Sequence, residues 1–268
     1  LTGAPGVGKS TSTSALVRAY RARRLRVGVL AVDPSSPFSG GALLGDRVRM
    51  QDHATDPHVY IRSMASRGHL GGLSWSTPQA LRVLDAAGCD VILVETVGVG
   101  QSEVEVAGLA DTTVVLLAPG MGDAIQAAKA GILEIGDVYV VNKADRDGAD
   151  ATARELRHML TLGERRAPGD WRPPIVKTVA SRGEGVDEVV EALEKHRRWL
   201  EETGTLRERR HRRAADEVQA IAVTALRERM GDLRAGHALD DVADRVVAGD
   251  LDPYAAADHL IAGLTDPV

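Results

Sequence analysis

The sequence holds a single cysteine, Cys89. No intramolecular disulfide can form, and a reducing compartment, the cytoplasm, is expected. No apolar run approaches the roughly 18 residues that a membrane span requires. No secretory leader is visible either. An excess of basic charge is also lacking: 33 Lys and Arg against 38 Asp and Glu leave a formal net charge of −5. Nothing electrostatic therefore points to nucleic acid or to an anionic membrane. The histidines are scattered, and His53, His58 and His69 lack the spacing of metal ligands, so no transition-metal centre is expected within one subunit. Internal repeats and low-complexity tracts are absent.

What remains is an ordinary globular composition, with 268 residues, 44% hydrophobic and 26% charged. That length allows one large domain, or one domain and an appendage, with a sizeable core. Short apolar runs end in chemically loaded residues. Arg26 to Val32 ends at Asp33, Val91 to Val94 at Glu95, and Thr113 to Leu117 before Pro119-Gly120. Val138 to Val141 ends at Asn142, and Ile175 to Val179 at Ala180-Ser181. Runs that are apolar on both faces suit strands covered on both sides. Helical patterns lie between them, over Ser10 to Arg24, Thr77 to Ala87, Asp123 to Ile135, Ala149 to Leu162 and Val186 to Glu202. The alternation predicts a three-layer α/β sandwich around a mainly parallel sheet, with ligands at the carboxyl ends of its strands.

The pattern changes after about residue 203. Gly204 breaks the preceding helix, and a basic run over Arg207 to Arg213 reads as a solvated helix face. Helices are expected over Ala214 to Met230, Leu239 to Val247 and Pro253 to Leu264. In the first, Val218, Ile221, Ala222, Ala225 and Leu226 recur at helical spacing. The expected division is residues 1–203 and a helical extension over 204–268.

Residues Gly3 to Ser10 read GAPGVGKS and fit G-x-x-x-x-G-K-[ST]. Gly3, Gly6 and Gly8 let the backbone of the loop, with Ala4, Pro5 and Val7 between them, curl so that its N–H groups face phosphate oxygens. The helix that follows, through Thr11, aims its positive end at the same place. Lys9 would bridge β- and γ-phosphates, and the Ser10 hydroxyl would ligate Mg²⁺. Further on, Asn142-Lys143-Ala144-Asp145 follows a strand. Asp145 can accept from the guanine N1–H and 2-amino groups, a donor pair that adenine lacks. Sites built this way discriminate by factors on the order of 10⁴. Lys143 would lie across the base and Asn142 would brace the loop. Ser181, with Arg182 and Gly183 after it, would offer a backbone N–H to the guanine carbonyl. The sequence thus predicts a P-loop hydrolase that takes GTP to GDP.

Between these motifs stands Glu95-Thr96-Val97-Gly98, where small GTPases carry D-x-x-G. Glu95 could hold Mg²⁺ through water, and the Gly98 N–H could sense the γ-phosphate. Asp33 ends its strand facing the same region, and Asp46 lies in a glycine-rich loop where a surface salt bridge is the rival reading. Mg²⁺ favours a few carboxylates with retained waters, so not all three acids need be direct ligands. Gln101 could orient the attacking water or be a plain surface amide.

Seven stretches together give a specific resemblance: GAPGVGKST, VDPSSPFSGGALLGDRVRM, IRSMASRGHLGGLS, VETVGVGQSE, LLAPGMGDAIQAAKAGI, VNKAD and VASRGEG. They resemble the methylmalonyl-CoA mutase-associated GTPase family (MeaB, also named ArgK), within the metallochaperone-type GTPases. Glu95 in place of aspartate is itself a feature of that family. The resemblance implies slow GTP hydrolysis and service as a chaperone for an adenosylcobalamin-dependent mutase. It implies that Asp33, Asp46 and Glu95 are Mg²⁺-linked acids. It implies mobile segments over Arg62 to Leu73 and Pro119 to Ala130, with Asp123 and Lys129 tied to stimulation by the mutase. The helical tail matches a dimerisation extension, so a homodimer is expected. A nickel-insertion GTPase and a P-loop kinase linked to amino-acid transport are the competing readings. One departure stands out: the phosphate loop begins at Gly3, whereas such a loop follows a complete buried strand and, in this family, a helical segment. The sequence is therefore expected to be a fragment of a longer chain.

Overall fold

The structure is a computed structural model, and it describes residues 1–34, 51–53, 55–66, 76–96, 108–120, 134–162, 167, 169–235 and 238–265. Among these residues there are seven strands and seven α-helices. The strands are β1 (Thr2–Gly3), β2 (Val27–Pro34), β3 (Val59–Ser66), β4 (Val91–Thr96), β5 (Val114–Leu117), β6 (Val138–Asn142) and β7 (Ile175–Thr178). The helices are α1 (Lys9–Ala22), α2 (Ser76–Ala86), α3 (Ala149–Leu162), α4 (Val186–Glu202), α5 (Thr205–Ala235), α6 (Ala238–Val247) and α7 (Pro253–Thr265). A 3-10 turn covers Gln51–His53.

Every pairing among the described strands is parallel, in the orders β3-β2-β4 and β1-β5-β6-β7. Leu1 joins the two groups: its nitrogen donates to the Val94 carbonyl, and its own carbonyl accepts from Thr96 N–H at 3.1 Å. The strand before the phosphate loop is thus represented by Thr2 and Gly3, in the middle of the sheet.

Side chains alternate between the two faces of the sheet, as the pleat requires. Val114, Leu116, Val138 and Val140 pack with Leu16 and Val17 of α1 and Val189 and Val190 of α4. Their neighbours Val115, Leu117, Tyr139 and Val141 point the other way, onto Ala153 and Leu156 of α3. On β2, Val27 and Val29 join the first cluster, while Leu30 and Val32 meet Leu84 of α2. Each such Val or Leu contributes on the order of 1.5–3 kcal/mol when fully buried. Two helical layers on one parallel sheet give the expected α/β sandwich.

Two local expectations need correction. The sequence reading has no strand at β3, because its run VYIRSMAS is only half apolar. Tyr60 and Arg62 are exposed there, while Ile61 and Met64 are partly buried. The first five residues of the segment Arg62 to Leu73 are therefore sheet, and residues 67–73 lie outside the described set. The basic run at 207–213 is part of α5, which starts at Thr205 rather than Ala214. The pattern over Asp123 to Ile135 falls mostly outside the described residues.

The chain divides into two compact units, Leu1–Arg207 and Glu208–Val268. Within the second, α6 and α7 pack on each other, with Val242 and Ala256 buried. Val218, Ile221 and Leu226 of α5 are exposed.

Candidate functional site

Because the described strands are all parallel, their carboxyl ends share one edge of the sheet, the usual place for a ligand in such folds. Gly3 at the end of β1 leads into the loop that opens α1. Gly8 is the N-cap of α1 and takes the left-handed conformation, with φ 97°. A Cβ there would also collide with the Asn142 amide. Glycine at this position answers both demands, the turn and the close approach of a second loop. Lys9 is only 8% exposed, and its ammonium donates to the Gly3 carbonyl at 2.7 Å and the Ala4 carbonyl at 3.1 Å. Charged phosphate oxygens are stronger acceptors than these carbonyls, so a buried ammonium here is suited to receive them. Pro5 and Thr11 are exposed, and Val7 is fully buried beneath the loop.

In the first turn of α1, the Ser10 hydroxyl donates to Glu95 Oε1 at 2.6 Å. Glu95 lies near the end of β4 and is 3% exposed. A hydroxyl and a carboxylate together make an all-oxygen donor set, which is the chemistry Mg²⁺ selects. The residues present therefore fit that ion. Asp33 lies in β2 at the same sheet edge, two positions beyond Ala31, which pairs with Glu95. Asp46, Gly98, Gln101, Asp123 and Lys129 lie outside the described residues.

The second loop is built around Asn142, the last residue of β6, which is 3% exposed. Its Nδ2 donates to the Val7 carbonyl at 2.8 Å. Its Oδ1 accepts from Thr178 Oγ1 and from Ala180 N–H, both at 3.1 Å. One amide thus ties together the phosphate loop, β7 and the turn after β7. Lys143 follows with φ 57°, a conformation that costs a non-glycine residue roughly 1–2 kcal/mol. Its ammonium reaches the Gly6 carbonyl at 2.6 Å. Asp145 is exposed at the rim, 3.2 Å from Arg182 Nη2. Ser181, Arg182 and Gly183 form the exposed turn after β7.

Two contacts beside the site went unread in the sequence. His53 is buried, with Nε2 at 3.1 Å from Ser14 Oγ and 3.2 Å from the Ser14 carbonyl. Arg21 Nε donates to Asp56 Oδ2 at 2.8 Å. Both fix the segment before β3 to α1. No spacing in the sequence could signal them, since the partners are more than 30 positions apart.

A parallel sheet whose carboxyl edge joins a glycine loop, a helix-borne lysine and serine, a strand-end acid and an Asn-Lys-x-Asp loop defines a P-loop nucleotide-binding protein. Comparison with known proteins carries this further. A family model described as methylmalonyl Co-A mutase-associated GTPase MeaB matches residues 1–234. A protein of Pyrococcus horikoshii named as a GTPase is 51% identical over 262 residues, 97% of this chain and 82% of the relative. The mouse methylmalonic aciduria type A homolog, mitochondrial, is 40% identical over 213 residues, 78% of this chain and 51% of that one. The crystal structure of an LAO/AO transport system kinase superposes with a TM-score of 0.70 at 28% identity, covering 99% of this chain and 80% of that one. The chain belongs to the MeaB family of GTPases.

Proposed function

We propose that this GTPase is a chaperone for an adenosylcobalamin-dependent acyl-CoA mutase, methylmalonyl-CoA mutase first among them, and that its nucleotide state gates cofactor loading and protects or reactivates that enzyme. The mutase part is supported by the family's own description and by the name of the mouse relative. The nucleotide part is carried by one observation: Ser10 meets Glu95 at the foot of a loop that Asn142 clasps to the base-reading turn.

In this reading residues 3–11 wrap the phosphates, with the Gly3 to Gly8 backbone and Thr11 around them. Lys9 leaves the Gly3 and Ala4 carbonyls for the β- and γ-phosphate oxygens and stabilises the charge that develops there. Ser10 and Glu95, with Asp33 and Asp46, hold Mg²⁺. That ion, when bound, neutralises charge on the transferred phosphoryl group. Gly98 senses the γ-phosphate. Asp145 reads the guanine edge, Lys143 covers the base, and the backbone of Ser181, Arg182 and Gly183 closes the carbonyl side. Asp123 and Lys129 transmit stimulation by the mutase. Residues 204–268 form the helical extension through which two chains pair. The exposed apolar stripe Val218, Ile221 and Leu226 favours that role, since such a stripe on a soluble helix asks for a partner. No described helix is long and apolar enough to cross a membrane, and the single cysteine suits the cytoplasm.

The test is co-purification with each cobalamin-dependent mutase of the same organism, with and without a non-hydrolysable GTP analogue. Nucleotide-dependent capture of one mutase is expected, and capture of none would sink the chaperone reading. Lys9→Ala should abolish most hydrolysis, by about 10²–10³-fold, as for loss of one charge-stabilising donor. Lys129→Ala should keep basal turnover and lose stimulation by the mutase.

A further inference from the structure

The carboxylate that would read guanine already has a cation on it. Arg182 Nη2 lies 3.2 Å from Asp145 Oδ2, while Nη1 lies 3.7 Å from Glu184 Oε1. One guanidinium thus stands between two rim carboxylates. The backbone beneath is fixed on both sides. Val179 N–H donates to the Glu184 carbonyl at 3.0 Å and Arg182 N–H to the Val179 carbonyl at 2.9 Å. Ala144 N–H donates to the Thr178 carbonyl at 3.0 Å. Opening the Arg182–Asp145 pair therefore asks only a side chain to turn, and that side chain is 59% exposed.

A guanidinium presents N–H donors in a planar fork, the geometry that suits a carboxylate. The guanine edge presents two adjacent N–H donors in a plane and needs the same acceptor. The two donors compete for Asp145, and Glu184 is the second seat for the loser. We propose that Arg182 is a displaceable counter-ion: it fills the place of the guanine edge on Asp145 while the site is empty, and passes to Glu184 when nucleotide enters. The inference rests on Asp145 being the base reader. It makes Arg182 a tuning residue that weakens GTP and GDP by the same factor, because both carry the same base, and that quickens nucleotide exchange.

The experiment measures dissociation constants for GTP and GDP in wild type, Arg182→Ala, Asp145→Asn and the double variant, with xanthosine triphosphate as the probe for the Asp145→Asn background. Arg182→Ala should tighten GTP and GDP equally, by about two- to fivefold, the typical worth of an exposed ion pair. GDP release should slow by a similar factor. In the Asp145→Asn background the same Arg182→Ala change should leave xanthosine triphosphate affinity unaltered, because no carboxylate remains to be held. If Arg182→Ala leaves GTP affinity unchanged or weakens it while Asp145→Asn weakens GTP, the counter-ion role is overturned and the base reader stands. If Asp145→Asn leaves GTP affinity untouched, the base reading falls and the inference falls with it.

Discussion

Ser10 Oγ donates to Glu95 Oε1 at 2.6 Å, across 85 positions of sequence. Both residues are under one-tenth exposed. A hydroxyl on a carboxylate at that distance is a charge-assisted bond, roughly twice as strong as a neutral one. It fixes the acid at the end of β4 against the first turn of α1.

The first prediction tests that pairing. Glu95→Gln keeps the shape and removes the charge. We expect kcat to fall by about 10–100-fold, as for loss of a partner in a metal site, with a higher Mg²⁺ concentration needed for half-maximal rate. A Mg²⁺ titration of turnover reads both. An unaltered Mg²⁺ requirement would take Glu95 out of the cation site.

Asn142 should matter to stability as well as to nucleotide. Its side chain satisfies the Val7 carbonyl, the Thr178 hydroxyl and the Ala180 N–H. Asn142→Ala leaves buried groups without partners, at about 1–3 kcal/mol each. Melting should drop by roughly 2–4 °C per kcal/mol for a domain of this size. Asn142→Asp should be no milder, because it turns a carboxylate toward the Val7 carbonyl. Calorimetry without nucleotide checks this, and a melting point within 1 °C or so of wild type would argue against the clasp.

The reverse holds for Ser12. It is buried in α1, and its hydroxyl has no hydrogen-bond partner among the described residues. It borders a small apolar cavity with Leu16, Val114, Leu116 and Val140. Ser12→Ala removes an unsatisfied hydroxyl and favours the helix. The variant should be as stable as wild type or better by up to about 1 kcal/mol. A clear loss in urea unfolding would mean that the hydroxyl has a partner after all, such as a bound water.

A fourth prediction concerns acid. The Arg21 side chain, and then the His58 backbone N–H, hold the Asp56 carboxyl below its ordinary range. A folded pKa below the unfolded value stabilises the fold above the ordinary Asp value of about 3.9, and that contribution fades as pH falls through the depressed folded value. The stability gap between wild type and Arg21→Ala should therefore be open at pH 7 and shrink below about pH 4. Urea unfolding at both pH values measures the gap. An Asp56 resonance titrating at the ordinary value in wild type would refute the effect.

The sequence by itself determined the regular parts. Ala149–Leu162 and Val186–Glu202 fold over the residues their apolar period marks, because one buried face at helical spacing admits few alternatives. Strands β5 and β6, apolar on both faces, were legible for the same reason. So were the glycine loop and the Asn-Lys-Ala-Asp turn, whose chemistry needs fixed residue types at fixed spacing. Strand β3 was not legible, because its exposed Tyr60 and Arg62 interrupt the apolar run and leave no clear period.

Tertiary structure alone decided who meets whom. Ser10 with Glu95, Asn142 with Val7 and Ala180, Ser14 with His53, and Arg182 with Asp145 are joined across 85, 135, 38, 39 and 37 positions. Local propensity carries no information over such separations. The parallel sheet brings the motif residues among them together by stacking its carboxyl ends along one edge, while Ser14 and His53 meet before β3 begins, and only then does a list of motif residues become a candidate site.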